Sequence, residues 1–265
     1  MAGVSGLESL IASFDAATGY FDWAAFGPLS PAVRADMLAD AELLGAGRVS
    51  GFELVDARVD AARELLAGVL DCAIDEVVLQ PSTTHGLTHA MQGLSGTVIV
   101  PAGDERSLRV TAYRAQQSRG ALTVREIDPP EGVAMIDAVA RALTDEVTAV
   151  ALSLVDARTG ALTDLAALRE LVGDRLLIVH AVQAFGAVDV DWSAADVVCG
   201  SGHAWLRAGR GTGFARFSAA ARERIDPVLS GPSALWAEPA TLGATEHAGP
   251  GGGVAPPMPT AAAYS

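Results

Sequence analysis

The sequence predicts an α/β fold, a three-layer sandwich with a mostly parallel sheet. Two observations carry this expectation. Short apolar runs alternate with helical segments from residue 76 onward, and strands separated by helices imply a parallel sheet covered on both faces. The chain also has 265 residues, half of them hydrophobic, so it can bury a sizeable core.

Each element follows from its local pattern. "LSPAVRADMLADAELLG" spaces its apolar residues as a helix does, with Ser30 as cap and Pro31 in the first turn. "FELVDARVDAARELLAGVL" is a second long amphipathic helix. Strand 76–80 precedes a helix starting near Thr83, and strand 97–100 precedes one from about Ser107. Runs 122–127, 147–155, 175–181 and 195–200 are further strands, and "TDLAALRELVG" is the helix between the second and third of these. The stretch "CGSGHAWLRAGRGTGF" then turns on glycines and returns to a strand. From about Gly231 glycine, proline and alanine dominate and periodicity is lost. The expected organisation is an N-terminal segment 1–30, a domain 31–230 and a tail 231–265.

Composition narrows the function. A net charge of −14 disfavours nucleic acid and acidic membranes, which need clustered cations. No apolar run is long enough to span a bilayer, and the first residues lack the basic leader of a signal peptide. Two cysteines, Cys72 and Cys199, fit a reduced, cytoplasmic protein; they form no metal pair, and the apolar run around Cys199 implies a buried thiol. All 18 basic residues are arginine. The chain contains no lysine and no asparagine.

Ligands of open α/β sheets bind at the carboxyl ends of strands. There the sequence places Ser82, Thr83 and Thr84 at a helix start, a natural phosphate seat and equally an ordinary cap. The other strand ends carry Asp156 and Arg158, His180 and Gln183, and Ser201 and His203. His85 and His89 are spaced i, i+4, but Gly86 and Leu87 between them offer no base, and no metal site is expected.

Taken in order, "STTHG", "SLVDARTGALTDL" and "LLIVHAVQAFGAVDVDWSAADVVCGSGHAWLRAGRGTGF" resemble class V aminotransferases and cysteine desulfurases, and "YFDWAAFGPLSPAVR" resembles their N-terminal segment. The resemblance covers roughly residues 18 to 230. It implies the large domain of a fold-type I enzyme dependent on pyridoxal phosphate. It further implies that Thr83, Thr84, Ser201 and His203 hold the cofactor phosphate and that Gln183 bonds the ring hydroxyl. Thr212 would reach the phosphate from the neighbouring subunit of a dimer.

The same resemblance exposes departures. Ala204 stands where the family has its Schiff-base lysine, His180 where it has the aspartate paired with the pyridine nitrogen, and Ala157 where it has an asparagine. Around Glu105 and Arg106 no ring is available to stack on the cofactor, and the Gly/Pro tail replaces the small C-terminal domain. A Schiff base needs an amine that can lose its proton, which arginine cannot supply. The expectation is a divergent relative that has lost standard Schiff-base chemistry but keeps a pocket for a small phosphorylated or anionic molecule, non-covalent pyridoxal phosphate included. Three alternatives stay open. His180, His203, His85 and Asp156 serve a repurposed reaction as acid–base groups or metal ligands; the chain is a subunit completing the pocket of a lysine-bearing homologue rather than of a homodimer; or the lysine of an active enzyme was replaced at position 204.

Overall fold

A computed structural model describes residues 6–15, 18–130 and 132–229. The expected tail 231–265 lies outside them. The order is α1 (Gly6–Ala12), α2 (Pro31–Gly45), α3 (Val49–Val69), β1 (Val77–Gln80), α4 (Thr83–Gly93), β2 (Gly96–Pro101), α5 (Arg106–Arg119) and β3 (Leu122–Ile127). Then come α6 (Met135–Ala142), β4 (Val147–Ser153), α7 (Leu165–Val172), β5 (Leu176–His180), β6 (Val197–Ser201), β7 (Gly213–Phe217) and α8 (Ala219–Arg224).

The strands form one seven-stranded sheet in the order β1-β7-β6-β5-β4-β2-β3. β3, β2, β4, β5 and β6 run parallel, whereas β7 is antiparallel to both β6 and β1. Neighbouring residues of one strand point to opposite faces, and both faces are buried. Val98 and Val100 meet Leu87, Met91 and Leu108 of α4 and α5, while Ile99 joins Val139 and Leu168 of α6 and α7. This is the sandwich the sequence predicts. Cys199 lies in the first of these cores, and burial pushes its thiol far above the usual range.

Local chemistry sets the boundaries. Ser30 caps α2, its Oγ accepting the Val33 N–H at 3.2 Å, with Pro31 at the first position. The apolar run 147–155 is shorter as a strand than its sequence implies. β4 stops at Ser153 because the chain turns there, and Val155 instead bridges Leu162. α1, α6 and α8 were not expected.

The N-terminal segment is fastened to the loop after β6. Arg207 is buried, and its guanidinium donates to Pro28 O at 3.0 Å and Ser13 Oγ at 3.0 Å. It also lies 4.3 Å from the Phe14 ring centre. The Gly27 N–H bonds His203 O at 2.8 Å. A Cβ at Gly27 would sit 2.0 Å from the Ala204 carbonyl oxygen, so only glycine allows this approach. The expected boundary at residue 30 thus separates stretches that pack against each other.

Candidate functional site

A cleft of about 530 Å³ opens at the carboxyl ends of β1, β5 and β6, where α4 begins. Ser82 is the extended N-cap of α4, its Oγ accepting the His85 N–H at 3.3 Å. Thr83 and Thr84 therefore occupy the first helical turn, whose N–H groups lack intrahelical acceptors and whose dipole favours an anion. Ser201 ends β6, and His203 and Thr212 flank the glycine turn beyond it. Two glycines let these pieces converge: a Cβ at Gly213 would lie 2.9 Å from Ser82 Cα, and one at Gly202 would lie 2.6 Å from Thr212 Oγ1. Ser82, Thr83, Thr84, His180, Gln183, Ser201, His203 and Thr212 all line this one cleft.

Thr83 and Ser201 are only 5 % and 4 % exposed, and among the described residues neither hydroxyl has a hydrogen-bond partner. A buried hydroxyl left unpaired costs about 1–3 kcal/mol. Both residues line this cleft beside a helix start, where the oxygens of water or of a ligand would satisfy their hydroxyls. Thr212 gives its proton to Gly209 O at 2.6 Å and lines the cleft of its own chain. Gln183 uses its amide to hold Ala24 O at 3.1 Å, and the N-terminal segment thereby joins the wall. Burial, then the nearby Arg210 charge, pushes the His203 imidazole below its usual value; a neutral His203 offers one N–H rather than a cation. Arg210 supplies the full positive charge in the lining, against the carboxylates of Asp22 and Glu105. The sequence reading missed Arg210, although its place in the glycine-flanked turn beside His203 was a usable signal.

His180 is buried at the end of β5, between two serines. Asp104 accepts the Ser153 N–H at 2.8 Å, its own neighbour Glu105 N–H at 2.6 Å, and the Ser153 hydroxyl in a short bond. The single Ser153 proton is thus spent on Asp104. Ser153 Oγ, 3.1 Å from His180 Nδ1, can then only accept, so Nδ1 carries the ring proton. Nε2 is left with its lone pair, 3.4 Å from Ser107 Oγ. Burial holds this imidazole below its usual value, outweighing the opposing charges of Asp104 and Glu105.

Asp156 lies elsewhere. With Ala157 and Arg158 it lines a neighbouring cleft of about 750 Å³, which shares Glu105 with the first. Burial raises its carboxyl, but bonds from the Arg158 N–H at 2.7 Å and guanidinium at 3.1 Å outweigh that and hold it below the usual range. The structure does not bring it to His180 or His203. Ala204, next to His203, is fully buried and does not line the cleft. Among the described residues no group of three or more metal-ligating side chains converges, and no helix is long and apolar enough to cross a membrane.

The family model described as Aminotransferase class-V matches residues 43–240 of this sequence. The chain belongs to the class V aminotransferase family. Its curated relatives include the cysteine desulfurase IscS of Acinetobacter baumannii (strain AYE), 27% identical over 190 residues, or 66% of this chain and 47% of the relative. IscS of Aeromonas salmonicida is 27% identical over 67% of this chain and 48% of its own length. The chain spans about half the length of the curated relatives it matches. The fold likewise agrees with solved structures of low sequence identity. A C-DES variant with glycine covalently linked to its PLP cofactor superposes with TM-score 0.73 at 17% identity, covering 82% of this chain and 61% of that one. The cysteine desulfurase CsdA of Escherichia coli gives 0.72 at 20% identity, covering 88% and 63%.

As a class V aminotransferase-fold site, the cleft fits one end of pyridoxal phosphate and not the other. Unpaired Thr83 and Ser201 hydroxyls, the α4 terminus, His203 and Arg210 suit a phosphate. Beyond them the cleft holds the buried His180, Ala204 stays outside its lining, and no residue in the 265 has an amine side chain to tether the aldehyde.

Proposed function

We propose that this chain is a divergent class V aminotransferase-like protein that binds a phosphorylated small molecule non-covalently and performs no Schiff-base chemistry of its own. The observation that carries the reading is the pair of buried, unpartnered hydroxyls, Thr83 and Ser201, on the wall of a cleft whose neighbouring position 204 holds alanine. The ligand's phosphate would take the α4 N–H groups and both hydroxyls, with Arg210 balancing its charge. Gln183 and the lone pair of His180 Nε2 would meet the rest of it. Pyridoxal phosphate is the first ligand to try, because the C-DES neighbour carries it.

The test adds pyridoxal phosphate to the purified chain, follows its absorbance, then reduces with borohydride and weighs the protein. Saturable binding, displaced by glycerol phosphate and leaving no adduct on any side chain, is the expected result. Failure of every phosphate ester to bind would remove the proposal.

We also propose that the chain is a homodimer. The support is apolar surface on the two long N-terminal helices: Leu38 on α2 and Leu65 on α3 are 70% and 73% exposed, with Met37, Val49 and Leu54 also open to solvent. Burying such a patch against a second copy is its simplest use.

A further inference from the structure

We propose that Ser107 is a nucleophile with His180 as its base, and that this cleft hydrolyses carboxylic esters or thioesters of small molecules that carry a phosphate. Three observations converge on Ser107. Its Oγ lies 3.4 Å from His180 Nε2, the ring nitrogen that the Ser153–Asp104 pair leaves unprotonated. The order Ser107, His180, Ser153, Asp104 is therefore a chain of hydrogen bonds running one way, from a hydroxyl in the cleft to a carboxylate. Ser107 also sits in the first turn of the 14-residue helix α5, whose N-cap Glu105 makes no side-chain cap. The first N–H groups of that helix have no intrahelical acceptor and point their dipole at charge developing beside Ser107. Finally, Ser107 lines the same cleft as the unpaired, nine-tenths-buried hydroxyls of Thr83 and Ser201. The substrate class rests on the phosphate-site reading above, whereas the nucleophile does not.

In the first step Ser107 Oγ bonds to the carbonyl carbon and its proton moves to His180 Nε2. The bond to the alcohol or thiol then breaks, and the leaving group takes that proton. The acyl group remains on Ser107. Water repeats the sequence, releases the acid and restores Ser107. Ser153 and Asp104 are positioning residues; they fix the imidazole tautomer and touch no substrate.

The experiment treats the whole chain with a fluorophosphonate and locates the adduct by peptide mass spectrometry. Attack at phosphorus expels fluoride, and His180 takes the Ser107 proton. One adduct, on Ser107 and absent from Ser107→Ala, is expected. His180→Gln should slow labelling roughly 100-fold. Ser153→Ala should slow it and Ser153→Thr restore it, which loss of packing alone would not give. Inorganic phosphate should retard labelling of the unmodified chain. No adduct on Ser107 overturns the nucleophile. An adduct formed at the same rate in saturating phosphate overturns the substrate class, while direct phosphate titration reports on the binding site separately.

Discussion

Thr83 and Ser201 set stability and binding against each other. Each buries a hydroxyl that no described residue satisfies. Thr83→Val and Ser201→Ala should therefore raise the unfolding free energy, by about 1 kcal/mol each, because an unmet polar group is removed with little change of shape. The same changes should weaken phosphate binding. Denaturant unfolding and a phosphate titration on one preparation read both effects, and a loss of stability would show that the hydroxyls are already paired. Histidine burial makes a second prediction at this scale. His89 is pushed down to about 4 by burial and then by His85, whose Nε2 lies 3.3 Å away; His180 is lowered too. Above about pH 6.5 neither the folded nor the unfolded chain protonates these rings. Below it the unfolded chain takes up protons first, so stability falls as pH drops toward 4. Urea midpoints at pH 7.5 and 5 measure the fall, and His89→Gln should flatten it. Thr83, Ser201 and His203 were legible because each follows a recognisable strand end in a quoted motif. Asp104, Ser107 and Ser153 were not: Ser153 lies 49 residues from Asp104 and His180 lies 73 from Ser107, and no local pattern announces such pairings.

Among the elements, α4 carries the most of the proposed function, since its start is the proposed anion seat. It lies flat on the sheet through Gly86, where a Cβ would come within 2.5 Å of Gln80 Oε1 and 2.9 Å of Cys199 Sγ. Gly86→Ala should lift this first turn and destabilise the fold by about 1–3 kcal/mol, with weaker phosphate binding as the accompanying sign. A variant with wild-type unfolding and affinity would mean that α4 tolerates the shift. The elements most readable from sequence were those whose pattern is also their boundary. Strand 122–127 begins as expected because Gly120, left-handed at φ 66°, stops the helix before it. α6 escaped notice because eight residues make too few turns for a helical period to stand out from the Pro/Gly-rich stretch before them.

At the scale of the molecule, β7 is what the sequence pattern left least determined. Periodicity reveals a strand but not its direction, and here two antiparallel pairings close the sheet onto β1. Arg216 on β7 secures that edge. It is 6% exposed and donates to Glu76 Oε2 at 2.7 Å and to the carbonyls of Trp192 and Ala195, both at 3.0 Å. Arg216→Met should cost about 3–5 kcal/mol by leaving Glu76 and two carbonyls unmet, measurable by thermal or urea unfolding. The same β7 edge brings Gly213 against Ser82 and so closes one side of the cleft. For the proposed dimer, light scattering should give twice the chain mass, and Leu38→Glu with Leu65→Glu should halve it.

The central claim is an anion seat that works without a tether. Calorimetric titration of the unmodified chain with glycerol phosphate, beside the Thr83→Val, Ser201→Ala double variant, tests it most directly. The account predicts stoichiometric binding that the double variant loses while remaining folded. Absence of binding to the unmodified chain, or equal binding to both, would contradict it.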